Sequence, residues 1–286
     1  MPNKKSFIAR IEEGILRLLK NDYMCSQDKA DDFLAVQSRK PQKVPEGIFK
    51  TITINQTQVF AFGDENADKT ILFIHGGAYV NEINYQHLFY CRKLARKLNA
   101  RVLAPVYPLA PNHTADETFD IVTDLYKPLV DKDNLTLMGD SAGGGFVLSF
   151  AQYLKTIDLP QPDHIIVFSP WVDVSMSGFP YDDESDPMLG EVGLRRIGKS
   201  WAGEIDVRDY RVSPLYGDNS GLADVLIFAG TNEIFYKDIK KYVSKLKDED
   251  VNVRFIEAEG LFHVYPMFPM PEARKAFKEI EKEIIN

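Results

Sequence analysis

From residue 70 onward the chain alternates short, continuous apolar runs with helix-length segments. The runs are TILFIH, RVLAPVY, NLTLMG, HIIVFS, VLIFAG and VNVRFIEA, and helical spacing fills the stretches near 85–98, 115–130, 142–156, 236–248 and 272–284. Strands that are apolar on both faces and take turns with helices predict an α/β protein with a mainly parallel sheet, covered on both sides. The last helix carries Ala273, Ala276, Phe277, Ile280 and Ile284 on one stripe, and Pro271 suits its first turn.

The N-terminal residues read differently. Ile8, Ile11, Ile15, Leu18 and Leu19 share one face of a helix over 6–20, and a second helical stretch at 28–38 ends before Pro41. The apolar stripe predicts an element that lies against the rest of the protein. TITINQTQVFAF, at 51–62, alternates apolar and polar positions about a polar middle, as a hairpin does. Residues 172–222 break the later rhythm with prolines, glycines and both signs of charge, over a length far beyond an ordinary connection. The expected organisation is a helical cap segment at 1–45 and a catalytic domain at 46–286, with a cap insertion at about 172–222 over the strand ends.

Composition narrows the field. Of 286 residues, 44% are apolar and 27% charged, with 34 basic against 42 acidic side chains and a net charge of −8. This is ordinary globular composition, and no basic stripe interleaved with aromatics offers a surface to nucleic acid. Lysines 237, 240, 241, 245 and 247 alternate with Ile239, Tyr242, Val243 and Leu246, which makes them the solvated face of a helix. Two cysteines, Cys25 and Cys91, form no disulfide framework and have no metal-ligand spacing around them. Glu12, Glu13 and Arg17 interrupt the apolar core that a signal peptide would need, and no apolar run approaches a membrane span. The expectation is a cytoplasmic protein without stable membrane association, for which a homodimer is compatible with the sequence.

The chemistry begins at GDSAGG, residues 139–144. It matches G-x-S-x-G and sits between a strand, NLTLM, and a helix, FVLSFAQYL, which is the context this motif needs. The turn would hold Ser141 in a strained conformation, and glycines at 139 and 143 would give clearance to the crossing backbone. The hydroxyl would stand exposed at the sheet end, with the amide of Ala142 pointing where negative charge develops. A glycine-rich turn with a passive serine is the plainer alternative. Trypsin-like proteases share a G-D-S-G-G run, but there the histidine and aspartate precede the serine and the fold is all-β.

ILFIHGGAYVN, 71–81, runs a strand into His75, Gly76, Gly77 and Ala78, and such a loop supplies main-chain donors beside the nucleophile. Amides at Gly77, Ala78 and Ala142 would make a three-point oxyanion hole; losing one such donor typically costs about 10²- to 10³-fold in rate. His75 reads as an organiser of the loop. Among the other histidines, His87 falls on a helix, His113 in a loop and His164 at a strand start. His263, in EGLFHVYPMF, alone follows the last strand and keeps the chain order Ser, acid, His. Glu233, three residues past a strand in VLIFAGTNE, is the expected acid, with Asp173 and Asp238 as rivals and a surface carboxylate as the alternative. Tyr79, Tyr107, Trp171, Phe262 and Tyr265 lie on strand-end loops and are candidates for the pocket wall, with core packing equally open.

Taken in order, HGGAY, YPLAP, GDSAGG, SPWVD, DPML, RVSPLYGD, GTNE with Asp238 after it, and a terminal FH resemble the hormone-sensitive lipase-like branch of the α/β-hydrolase superfamily, the bacterial acetyl esterases and carboxylesterases. The resemblance runs from about residue 70 to the end. It implies an eight-stranded, mostly parallel sheet, a helical cap, and hydrolysis of small-molecule esters with short acyl groups, without metal or organic cofactor. It carries the nucleophile onto Ser141, the acid onto Glu233, the base onto His263 and the hole onto Gly77, Ala78 and Ala142. Three positions depart from the family pattern: Ala78 replaces its third glycine, Pro108 its usual arginine, and Glu233 the commoner aspartate. The alanine is expected to keep its donor with a negative φ. A deacetylase of O-acetyl sugars, an amidase, or a ligand-binding protein without catalysis are the alternative functions on the same framework.

Overall fold

A computed structural model describes residues 5–45, 47–132 and 134–285. The chain forms β1 (Thr51–Ile54), β2 (Thr57–Phe62), β3 (Lys69–Ile74), β4 (Ala100–Pro105), β5 (Leu135–Asp140), β6 (His164–Phe168), β7 (Asp224–Gly230) and β8 (Val253–Ala258). They make one eight-stranded sheet in the order β1-β2-β4-β3-β5-β6-β7-β8. β2 is antiparallel to β1 and β4, and every other pair is parallel. The β1–β2 hairpin turns on Asn55 and Gln56, both at positive φ (46° and 67°), the backbone that a two-residue hairpin requires.

The helices are α1 (Phe7–Leu18), α2 (Gln27–Gln37), α3 (Tyr85–Leu98), α4 (Ala115–Tyr126), α5 (Ser141–Thr156), α6 (Glu191–Ala202), α7 (Tyr236–Asp248) and α8 (Pro271–Ile285). Strand alternation divides the interior in two. Leu72, Ile74, Leu137, Ile165, Val167 and Ile227 face a core shared with Phe119, Phe146, Phe150 and Ile239 from α4, α5 and α7. Ile71, Phe73, Met138, Ile166, Phe168 and Phe228 face the opposite core, closed by Leu88 and Leu94 of α3 and Phe277 and Ile280 of α8. Each such side chain contributes about 1.5–3 kcal/mol of transfer free energy, so both faces of the sheet are driven shut. The strand C-terminal ends are thereby fixed along one edge, and the loops leaving them converge.

One part of the chain holds a helix that no periodicity announced, and another differs from the sequence expectation. The stretch 172–222 contains α6, whose Gly193 and Gly198 lower local helix propensity and hide its period. A Cβ at Gly193 would lie 2.4 Å from the carbonyl oxygen of Tyr23, so the close approach of the N-terminal segment requires the glycine. The apolar stripe of α1 does not lie against the protein: among its residues only Ala9 is buried, and Leu18 is 87% exposed. Polar contacts set its orientation instead. Ser6 caps α1 and bonds to Glu272 of α8, and Arg17 donates to the carbonyls of Glu184 and Ser185, while Lys20 just beyond the helix donates to those of Asp183 and Asp186. α2 is held to α6 through Asp31 and Arg196.

Candidate active site

β5 runs directly into α5, with Ser141 at the junction in the left-handed region (φ 52°). Strain of this kind in a non-glycine residue is held in place by its surroundings. Here a Cβ at Gly143 would sit 2.1 Å from the carbonyl oxygen of Ile74, and one at Gly139 would sit 2.6 Å from that of Gly143. Strand and helix thus cross at backbone contact, and the turn lifts the Ser141 side chain off the sheet end.

His263 reaches this hydroxyl from the loop between β8 and α8. Its Nε2 lies 2.8 Å from Ser141 Oγ, and Phe235 packs edge-on to its ring at 5.3 Å. Glu233, on the loop after β7, is buried beneath it. Its Oε2 accepts hydrogen bonds from the Ser169 hydroxyl (2.7 Å) and the Gly230 amide (3.1 Å), and its Oε1 stands 3.9 Å from His263 Nδ1. Neither Oε1 nor Nδ1 has a hydrogen-bond partner among the described residues. Burial alone would lower the affinity of the imidazole for a proton. The Glu233 carboxylate, helped by Asp186 and Asp140, outweighs that penalty and holds the His263 pKa above 6.5.

The rival acids are engaged elsewhere. Asp173 accepts from Ser175 and from the Tyr216 hydroxyl. Asp238, on α7, accepts from the Tyr181 hydroxyl at 2.7 Å, and burial raises its pKa to about 6.

The loop after β3 brings main-chain amides to the same place. The amides of Gly77 and Ala78 donate to no protein acceptor among the described residues, and Ala142 lies in the first turn of α5, where amides have no intrahelical partner. Ala78 has φ 52°, contrary to the negative value expected from its side chain, and Tyr79 follows at 60°. The loop is tied down from both sides: Asp140 accepts from the Gly76 amide (2.9 Å), and the Tyr79 hydroxyl donates to the carbonyl of Ala142 (2.7 Å). These bonds over-determine the loop and enforce left-handed backbone at two residues with side chains. Burial and the neighbouring His87 lower the His75 pKa to about 3, so its ring stays neutral, with Nδ1 against the Gly76 carbonyl and its face on Tyr107. Burial opposes ionisation of Asp140, yet His87, the Gly76 amide and His75 together hold its pKa below the usual carboxylate value.

A cleft of about 490 Å³ opens over Ser141 and His263. Leu16, Leu19 and Met24 from the N-terminal segment, Met188 and Leu189 from the 172–222 stretch, and Met267 make its apolar wall; Asn81, Glu82, Gln86 and His87 make the polar one. The five aromatic candidates for lining are not on it. Tyr79 is stacked between Trp171 and Trp201, Tyr107 lies under His75, and Phe262 and Tyr265 are buried in the core of α3 and α8. Their position on strand-end loops was legible, but the direction of each side chain depends on partners far away in sequence. Sequence reasoning also passed over Asp140, Ser169 and Asp186, whose carboxylates and hydroxyl organise the site from beneath. Among the described residues no group of three His, Cys, Asp or Glu side chains is placed to hold a metal ion, and no helix is long and apolar enough to cross a membrane.

Comparison with known proteins identifies the fold and the relatives that share it. Residues 71–267 match a family described as the alpha/beta hydrolase fold. The chain is 30% identical to an esterase of Acinetobacter venetianus over 224 residues, 75% of this chain and 74% of that one. It is 28% identical to an acetyl-hydrolase of Streptomyces hygroscopicus, over 73% of each chain. A solved structure from Staphylococcus aureus superposes with a TM-score of 0.85 at 28% identity, over 92% of this chain and 95% of that one. An esterase from the bacterial hormone-sensitive lipase family has the same fold, with a TM-score of 0.81 at 24% identity over 98% of each chain. With the motifs HGGAY, GDSAGG and GTNE all at one sheet edge, the chain belongs to the alpha/beta hydrolase fold family.

Proposed function

We propose that the protein is a serine carboxylesterase that hydrolyses short-acyl esters through Ser141, His263 and Glu233, with Gly77, Ala78 and Ala142 as the oxyanion hole. The observation that carries this reading is the 2.8 Å contact between His263 Nε2 and Ser141 Oγ at a left-handed strand-to-helix turn. His263 takes the serine proton as Oγ attacks the ester carbonyl, and the carbonyl oxygen gathers negative charge among the three amides. Collapse of the tetrahedral intermediate breaks the bond to the alkoxide, which leaves as alcohol with the proton from His263. Water then attacks the acyl-enzyme by the same route and releases the acid. Glu233 favours the imidazolium that forms in both steps.

The short-acyl preference rests on the modest cleft, walled on one side by the N-terminal segment and the 172–222 stretch, and on the relative named an acetyl-hydrolase. These two stretches are the proposed cap. Nothing in the chemistry requires a metal or cofactor, and the setting proposed is the cytoplasm. Turnover of p-nitrophenyl acetate that disappears in Ser141→Ala tests the reaction, and an acyl series from acetate to octanoate tests the preference. Faster turnover of octanoate than of acetate overturns the short-acyl assignment.

A further inference from the structure

Ser169 follows β6 and is fully buried, with φ 47°. Its amide donates to the carbonyl of Phe228 on β7 at 2.7 Å, so the residue is mounted on the rigid sheet. Its hydroxyl makes two bonds whose directions are fixed by chemistry. A carboxylate can only accept and an amide can only donate, so Oγ gives its hydrogen to Glu233 Oε2 (2.7 Å) and accepts from the Val264 amide (2.9 Å). Val264 is the neighbour of His263 and is itself in the left-handed region, at φ 49°. One hydroxyl therefore ties the loop of the acid to the loop of the base.

We propose that Ser169 is a positioning residue that aims Glu233 at His263, an inference that rests on the assignment of these two as acid and base. With Ser169 and Gly230 both bonded to Oε2, the carboxylate is held in one rotation, and Oε1 is left as the oxygen that faces Nδ1. Without the hydroxyl, Oε2 keeps only the 3.1 Å bond from Gly230, the terminal torsion of Glu233 loosens, and the Val264 amide loses its acceptor. The left-handed backbone is disfavoured for a residue with a Cβ, so glycine would fit position 169 with less strain, and the hydroxyl is the property glycine lacks.

The test uses Ser169→Gly, which relieves the backbone as it removes the hydroxyl, beside Ser169→Ala, each alone and with Glu233→Ala. Steady-state kinetics on p-nitrophenyl acetate should show kcat reduced by roughly 10- to 100-fold in both single variants, with KM little changed, as expected for a misaimed group. The acid limb of the kcat/KM profile should move to lower pH, because the carboxylate that raises the His263 pKa is no longer held toward it. In the Glu233→Ala background the same changes at Ser169 should cost less than about twofold, since a residue that acts through Glu233 has nothing left to aim. Wild-type kcat and an unmoved acid limb in Ser169→Gly, or an equal loss in both backgrounds, overturns the proposal. If Glu233→Ala itself retains full kcat, the acid assignment falls and the inference with it. If Glu233→Ala is crippled while Ser169→Gly is not, only the inference falls.

Discussion

Glu233 Oε1 faces His263 Nδ1 across 3.9 Å, and neither atom has another partner among the described residues. Two buried polar atoms left open toward each other make a gap that a small side-chain rotation closes, and catalytic hydrogen bonds commonly tighten only when substrate is bound. The glutamate spans this distance with one methylene more than the commoner aspartate. Glu233→Gln should lower kcat by roughly 10²- to 10⁴-fold, because a neutral amide cannot stabilise the imidazolium. Glu233→Asp should also be slower than wild type, since the shorter side chain withdraws from a ring already out of contact. Burst and steady-state kinetics on p-nitrophenyl acetate measure both; an aspartate variant at wild-type rate contradicts this geometry.

The raised His263 pKa fixes the sign of the pH response. His263 must be neutral to accept the serine proton, so kcat/KM should fall as pH drops through its pKa, with a midpoint above 6.5. Glu233→Gln should bring that midpoint down, because burial then acts without its main opponent. Linkage runs the other way for stability. The folded state holds this proton more tightly than the unfolded chain, so the contribution is fully present below 6.5 and is lost as pH rises through the folded value. A profile of kcat/KM against pH for the two proteins decides the first point. An acid limb centred below 6.5 in the wild type would contradict the electrostatics.

The parallel sheet and the strand-to-helix turn at Ser141 were legible because their causes are local. Strands covered on both faces must be apolar throughout, and a turn in which Gly139 and Gly143 meet crossing backbone must spell its clearance in glycine. That Ser141, Glu233 and His263 lie on loops leaving one sheet edge was legible for the same reason, since each follows a readable strand. The cap was not. α6 carries Gly193 because Tyr23 approaches it, and α1 turns its apolar stripe outward because Arg17 and its partners hold the opposite side. Both are facts about distant segments, and no periodicity encodes them. Tyr79 and Trp171 failed as lining residues on similar grounds: their rings are claimed by Trp201 and Phe235.

Gly143 should tolerate no side chain. A methyl group there meets backbone oxygens of Ile74 and His75 at 2.1 and 2.5 Å, and neither strand nor turn can yield without displacing Ser141. Gly143→Ala should be poorly folded or inactive. Ala78→Gly should do the opposite: at φ 52° glycine relieves strain, and stability should rise by about 1 kcal/mol after the added chain entropy of the unfolded state is counted. Urea denaturation compares the two, and a destabilised Ala78→Gly would mean that the alanine methyl is needed on the cleft wall.

Asp238 is a buried carboxylate that receives one hydrogen bond at Oδ2, from Tyr181, while Oδ1 has no partner among the described residues. Burial is the main cause of its raised pKa, with Asp173 adding repulsion, and the value of about 6 lies well above the ordinary 3.8. The folded state thus binds this proton more tightly than the unfolded chain does. Stability from this group is present below 3.8 and is lost as pH climbs through 6, a change of about 3 kcal/mol for a shift of this size. Asp238→Asn removes the ionisation and keeps an oxygen for the Tyr181 hydroxyl. The variant should therefore gain on the wild type as pH rises, with the difference in urea midpoint larger near pH 8 than near pH 5. The comparison cancels every titration the two proteins share, so a difference that stays constant with pH would mean that Asp238 is solvated well enough to ionise without penalty.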